Sequence, residues 1–237
     1  MKNQHQLLKK TVESYMRRVP MVHEHCDRCL KSARWHCSAL LMVIDAAFDS
    51  IGLNYFQSVV PKVELFRRNY VETGLICTLE DLAAADDKEL QKIWKNARSW
   101  HVARKVAAQL LTVKVRNSLD DRDALIHWAK HAPLDSWKSD PVGSISGVGI
   151  NTYQYLRMMG GVDTVMPDKI VKKVIYEILD ISGMERPGGD LEFIRMVEEM
   201  APRTGYRAIE LCWMTWLVQS EAGLSRTEKY ADLLPKI

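Results

Sequence analysis

Residues 145–173 read ISGVGINTYQYLRMMGGVDTVMPDKIVKK and contain two linked elements. The first is the Gly-Val-Gly sequence at 147–149, which is apolar on both sides and is typical of a very short turn between two helices. The second is Pro167, a residue that favours helix starts, followed directly by Asp168. The stretch therefore predicts a helical hairpin and then a helix that begins at an acidic residue.

The turn has the properties of an anion site. A helix that starts just after Gly149 has unpaired N–H groups at its positive dipole end, and glycine lets the backbone itself approach a phosphate. The carbonyl groups of such a tight turn can also face a monovalent cation. A plain corner between two helices explains the same residues, so both interpretations stay open at this point.

The acidic residues that follow the turn have structural explanations as well. An Asp at a helix start, such as Asp168, is usually a cap, and Asp163 lies in the turn-forming sequence GGVDT. Lys169, Lys172 and Lys173 come next, at a spacing that suits phosphate contact or plain solvation. Lys172 lies four residues after Asp168, which predicts an ion pair between these two side chains.

Composition describes an ordinary globular protein. The chain has 237 residues, of which 47% are hydrophobic and 27% charged, enough to bury a sizeable core. No segment approaches the ~18 apolar residues that cross a bilayer, and the start MKNQHQLLKK lacks the apolar centre of a signal peptide. Five cysteines, an odd number without a disulfide pattern, predict a reducing intracellular compartment.

Positive charge is concentrated in residues 88–116. This segment holds eight Lys or Arg against the single Glu89, a local charge of +7, whereas the whole chain carries +3. Such a stripe would attract phosphates, although a solvated helix face gives the same pattern.

Apolar residues recur at helical intervals almost everywhere and no convincing strand alternation is found, which predicts an all-α fold. The expected helices are 5–18, 36–50, 55–72, 79–85, 88–97, 101–115, 121–131, 138–145, 150–159, 168–181, 190–200 and 204–222. Two lobes are expected. One lobe comprises residues 30–130 and contains the basic helices. The other comprises residues 1–29 and 131–237 and contains the helix-hairpin-helix (138–160) and the acidic loop (160–168).

The turn, its spacing to the Pro-Asp pair and the basic helices together resemble the helix-hairpin-helix DNA glycosylase superfamily, whose hairpin is followed by a Gly/Pro-containing loop and a required Asp. The matching stretch is ISGVGINTYQYLRMMGGVDTVMPDKIVKKV, and a weaker likeness extends over most of 36–176. The sequence LRMMGGVDTVMPD is more similar to poorly characterised members of the superfamily than to the well-known repair enzymes.

The resemblance implies a base excision repair enzyme that acts on lesions in double-stranded DNA, with Asp168 as the catalytic acid. It also implies an intracellular, cytoplasmic and nucleoid-associated protein, monomeric and without a membrane partner. The implied DNA contacts are Gly147, Val148, Gly149, Asn151, Thr152, Lys169 and Lys172. The candidates for the base pocket are Asp49, Ser50, Asn54 and Tyr55.

One position separates two reaction types. Members that also cut the strand carry a Lys two residues after the second hairpin glycine, where an amine forms a Schiff base with the sugar, but this chain has Asn151 there. We therefore expect monofunctional, cofactor-free hydrolysis of the N-glycosidic bond, with Asp168 stabilising the oxocarbenium ion or orienting water. The alternatives are a catalytically silent DNA-binding protein and a helical protein with no nucleic-acid function.

The stretch HEHCDRCLKSARWHC at 23–37 raises the question of a metal. Cys26, Cys29, His36 and Cys37 are residue types that form tetrahedral zinc sites, but no second CxxC completes the pattern. His36 and Cys37 would also point in different directions on a helix that starts at 36. We expect no metal here, and no iron–sulfur cluster, because the cysteine spacing does not match the four-cysteine loop of some family members.

Overall fold

The fold is described from a computed structural model, for residues 2–50, 52, 54–221 and 224–237. Helices dominate, so the predicted all-α class is confirmed. The strands found in these ranges are two residues long each, Ser220–Glu221 paired antiparallel with Leu224–Ser225. None of the helices described is long and apolar enough to cross a membrane.

The chain forms two compact units. The central unit comprises residues 31–161 together with Ile237, and the terminal unit comprises 1–30 and 162–236. The sequence interpretation had assigned residues 131–161 to the lobe formed by the chain ends. In the structure this segment, which includes the Gly-Val-Gly turn, belongs to the central unit.

The central unit is built around one helix that is buried on every side. Residues 39–48 of this helix, α4 (Ala39–Asp49), are all buried, and the long α8 (Ala97–Asn117) packs against α4, α6 (Leu79–Ala84) and α9 (Asp121–His131). Two wide π-type helical segments, Tyr55–Val59 and Arg67–Val71, flank α5. The helices of this unit are α3 (Arg34–Cys37), α4 (Ala39–Asp49), α5 (Val60–Phe66), α6 (Leu79–Ala84), α7 (Asp87–Leu90), α8 (Ala97–Asn117), α9 (Asp121–His131) and α10 (Ile150–Met159).

The terminal unit repeats this plan around a second apolar helix. All ten residues of α13 are buried, and the helix packs against α2, α11 and α12. The apolar stripe of α11 lies at positions i, i+3, i+4, i+7 and i+8 from Val171 to Leu179, the spacing of one buried helix face. The helices are α1 (Lys2–Met16), α2 (Val22–Leu30), α11 (Lys169–Ile181), α12 (Asp190–Thr204), α13 (Ala208–Leu217) and α14 (Arg226–Lys229).

The helix expected at 138–145 is absent, and the prediction is wrong for a local reason. A short 3₁₀ helix, Trp137–Ser139, is followed by hydrogen-bonded turns up to residue 147. The Oδ1 atom of Asp140 accepts hydrogen bonds from the backbone N–H groups of Val142 (2.9 Å) and Gly143 (3.3 Å). A side chain that satisfies these backbone donors favours a turn over a helix. The Gly-Val-Gly turn at 147–149 is therefore preceded by other turns rather than by a regular helix.

Candidate functional site

The Gly-Val-Gly turn requires glycine at its first position. Gly147 has φ = +99°, and a Cβ built there would lie 2.8 Å from Cγ2 of Val102 and 3.3 Å from Nε of Arg98. The backbone N–H of Val148 donates to the carbonyl of Ile145 (2.9 Å) and closes the turn. Conformation and space both exclude a larger residue at 147.

Gly149 has a different role, because its backbone is extended and its surroundings are open. It is the N-cap of α10 with φ = −100° and ψ = 173°, it supplies no side-chain cap, and a Cβ built there would meet nothing within 4 Å. The start of α10 is thus open to an approaching group. Asn151 is exposed in the first turn of α10, whereas Thr152, an expected DNA contact, is buried in the unit.

A basic side chain lies directly against this turn. The Nε and Cγ atoms of Arg98 are 3.3 and 3.6 Å from the position that a Cβ of Gly147 would take. Sequence reasoning had no means of pairing these two residues, because they are 49 positions apart (147 minus 98). A guanidinium beside an open helix N-terminus is a suitable environment for a phosphate.

The basic residues of the positive stripe at 88–116 include some that are paired with acidic residues and others, the available charges, that are not paired with any acidic residue that the structure describes. Lys95, Arg98 and Lys105 are exposed and form no ion pair with a residue that the structure describes. Three other basic residues are paired with acids, namely Lys92 with Glu89 (2.5 Å), Arg104 with Asp87 (2.6 Å) and Lys114 with Asp121 (2.7 Å). The available charges thus include Arg98, the residue beside the turn.

Asp168 is the N-cap of α11 and is held at both oxygens. Its Oδ1 atom accepts a hydrogen bond from the backbone N–H of Val171 (2.8 Å), and its Oδ2 atom accepts one from Nε1 of Trp216 (3.0 Å). Burial raises the pKa of Asp168 above its usual value, while the backbone N–H groups of Val171 and Ile170, the Trp216 donor and the charge of Arg226 act in the opposite direction.

This carboxylate keeps capacity for further partners. Asp168 is half-buried, and a carboxylate has about four acceptor positions, so the donors Val171, Ile170 and Trp216 still leave room for a water molecule or a developing cation. The guanidinium of Arg226 lies 4.8 Å from the centre of the Trp216 ring, in cation–π contact. The sequence does not predict the hydrogen bond between Trp216 and Asp168, because the two residues are 48 positions apart.

The neighbouring charged residues have other partners. The exposed Asp163 accepts a hydrogen bond at Oδ1 from the backbone N–H of Ile209 (2.9 Å), at the start of α13. The expected ion pair between Lys172 and Asp168 is absent, because Lys172 pairs with Asp190 instead. Lys169 is exposed in the first turn of α11. Within this set, Asp163 has a clear structural role.

Tyr55, a candidate for the base pocket, belongs instead to a fully buried polar network. The Oδ2 atom of Asp45 accepts hydrogen bonds from Nε1 of Trp35 (2.6 Å) and from the hydroxyl groups of Tyr55 (2.9 Å) and Tyr155 (3.1 Å). Arg34 donates to both tyrosine hydroxyls and forms an ion pair with Asp45 (3.4 Å). With Tyr55 3% exposed, its ring is part of the core rather than a pocket wall.

The other pocket candidates lie near the end of α4. Asp49 and Ser50 are half-buried there, and the hydroxyl of Ser50 donates to the carbonyl of Ala47 (2.5 Å). Asn54 caps the segment that begins at Tyr55, with its Oδ1 atom accepting from the backbone N–H of Gln57 (3.1 Å). These contacts are local, and they do not single out a base-binding residue.

The Cys/His stretch is divided between the two units. Cys26 and Cys29 are buried in α2, and the Cys26 thiol donates to the carbonyl of Ile209 (3.5 Å). Burial raises the pKa of this thiol well above its usual value, which disfavours the thiolate that zinc requires. His36 and Cys37 lie on a left-handed turn of the central unit, and no group of three or more potential metal ligands occurs in the described parts of the chain.

Comparison with known protein families, curated proteins and solved structures gave no match for this chain.

Proposed function

We propose that this chain is a DNA N-glycosylase of the helix-hairpin-helix superfamily, which removes a damaged, deaminated or alkylated base by direct hydrolysis. The observation that carries the proposal is the environment of Asp168. Its carboxylate is half-buried, oriented at both oxygens by Val171 and Trp216, and still has acceptor positions for water or for a sugar cation.

DNA binding is supported by the turn at 147–149. The open start of α10 offers backbone N–H groups to a phosphate, and Arg98 adds a positive charge beside the same turn. Lys95 and Lys105 extend the positive surface without an acidic partner among the described residues. Such contacts fix the position of a duplex and read little of its sequence, as a protein that searches for lesions requires.

The proposed chemistry follows from the carboxylate and from the Asn at hairpin position 151, where a lysine would supply an amine. A base must leave the stack before its glycosidic bond is accessible. As that bond breaks, positive charge develops on the sugar, and the ionised Asp168 stabilises it and orients the attacking water. Because Asn151 occupies the position of the Schiff-base lysine, the product is an abasic site in an intact strand.

A catalytically silent DNA-binding protein is the second candidate. It is favoured by one observation, since Asp168 caps α11 and this bond alone explains an acid at the helix start. The Trp216 bond supports the enzyme, because capping uses one carboxylate oxygen whereas here the second oxygen is oriented as well.

The test is a screen of the purified chain against duplexes that carry uracil, thymine opposite guanine, hypoxanthine, 8-oxoguanine or an alkylated adenine. We expect base release from at least one duplex, with strand breakage only after alkali. Salt-sensitive binding without release of any base would support the silent binder, and neither binding nor release would exclude both. A protein–DNA adduct trapped by borohydride would contradict the monofunctional mechanism.

A further inference from the structure

A cleft in the central unit, away from the residues used above, has the composition of a ligand site. It measures about 290 Å³ and lies between the last turns of α8, the C-terminal half of α9 and the turn at 140–142. Its size is close to the lower end of small-molecule pockets, which start at roughly 300 Å³. Its lining includes the polar side chains of Gln109, Arg116, Asn117, His127, His131 and Asp140.

The charges of the cleft favour an anion. Arg116 is exposed and forms no ion pair with a described residue, and His127 and His131 line the cleft from α9. Asp140, the acid among the lining residues, is 8% exposed. Its Oδ1 atom already accepts hydrogen bonds from Nε1 of Trp128 (3.1 Å) and from two backbone N–H groups. A phosphate would thus meet the Arg116 guanidinium, while the Asp140 carboxylate is already bound to three N–H donors.

The remaining lining favours a flat heterocycle attached to that anion. The imidazole rings of His127 and His131 are stacked, with centres 4.3 Å apart and an angle of 24° between their planes. Nδ1 of His131 donates to the carbonyl of His127 (2.7 Å), which fixes the orientation of the His131 ring. Amide side chains present both donors and acceptors, so Gln109 and Asn117 suit the polar edge of a base.

We propose that this cleft binds a nucleotide, with its phosphate beside Arg116 and its base against the histidine pair. The nucleotide is either a free nucleoside monophosphate or one unit of a bound DNA strand, since both present the same phosphate and ring. The proposal does not require glycosylase activity, because the residues that carry it are distinct from Asp168 and from the Gly-Val-Gly turn.

The experiment is an NMR titration of the full chain with deoxyadenosine monophosphate, and separately with deoxyadenosine, inorganic phosphate and a short single-stranded oligonucleotide. We expect saturable shifts of the Trp128 indole N–H and of the His127 and His131 ring signals, with a Kd on the order of 1 mM for the monophosphate. Deoxyadenosine and phosphate alone should bind at least about tenfold more weakly, because each lacks one half of the ligand.

Arg116→Gln should weaken monophosphate binding about tenfold, while Lys88→Gln, which removes the same charge from an exposed residue outside the cleft, should not. Since Arg116 is exposed, the amide spectrum should report an intact fold. Shifts seen with the oligonucleotide but not with the monophosphate would support the bound strand as the source. Absence of saturable shifts with both ligands, or equal weakening by the two variants, would overturn the proposal.

Discussion

At the scale of single residues, the pKa of Asp168 depends on the balance between burial of the carboxyl group and the hydrogen bonds that it accepts. Burial raises the pKa of the carboxyl group, and the Trp216 hydrogen bond opposes that shift by stabilising the ionised form. Trp216 therefore orients the Asp168 carboxylate and favours its ionised form.

Trp216→Phe tests this role. Loss of the donor should raise the pKa of Asp168 further, so the acid side of the pH profile for base release should move to higher pH. The rate at a pH well above this limb should fall about tenfold or less, because the carboxylate remains present but less well oriented. Rates measured over a pH series check this expectation, with Trp137→Phe in the central unit as the matched control. An unmoved acid limb would contradict the role of Trp216.

The buried network around Asp45 gives a second prediction at this scale. Both Asp45 and Arg34 are fully buried, so removing one partner leaves the other charge in the core. Arg34→Met should lower the free energy of unfolding by about 3–5 kcal/mol, and adding Asp45→Leu should recover part of that loss. Urea unfolding of both variants checks it. A loss below about 1 kcal/mol for Arg34→Met would mean that the network stabilises little.

At the scale of elements, the two hairpin glycines should respond differently to substitution. Gly149→Asp adds a negative side chain at the open start of α10, so affinity should fall about tenfold for every duplex regardless of the lesion. Gly147→Ala should instead destabilise the fold, because it combines φ = +99° with a contact of 2.8 Å to Val102. Binding isotherms and thermal unfolding separate the two effects. Unchanged affinity in a folded Gly149→Asp variant would remove the turn from the DNA interface.

The basic stripe gives a prediction restricted to its available charges. Changing Lys95, Arg98 and Lys105 to Glu should weaken duplex binding and lower the slope of log affinity against log salt by about 2 to 3 units. The control reverses Lys92, Arg104 and Lys114, whose charges are already paired with acids, and should lower the slope less. Equal slopes for the two triple variants would mean that the stripe is merely solvated.

The elements that sequence predicted well are those whose signals are local. The bounds predicted for the helices at 121–131 and 150–159 are confirmed, and Asp120 caps the first of these helices. The helix at 138–145 failed because the Asp140 side chain satisfies backbone donors that a helix would use. The sequence does not predict the contact of Trp216 with Asp168 or that of Arg98 with the Gly-Val-Gly turn. These residues are distant in the sequence and come close only in the folded chain.

At the scale of the whole molecule, the proposed function draws on both units. The turn at 147–149 and Arg98 belong to the central unit, whereas Asp168 and Trp216 belong to the terminal unit. Each unit is organised around its own buried helix, α4 or α13. The proposed glycosylase thus requires the full chain, and binding and hydrolysis should respond to different sets of variants.

The most direct measurement is single-turnover base release by the parent chain and by Asp168→Asn on the same lesion duplex, with duplex affinity measured in parallel. The substitution keeps the size and capping ability of the side chain but removes its charge. We predict an alkali-labile abasic product from the parent, a rate at least about 100-fold lower for Asp168→Asn, and affinity equal to or above that of the parent. Asp163→Asn, the control, should retain most of the rate. Full activity of the Asp168→Asn variant would contradict the account.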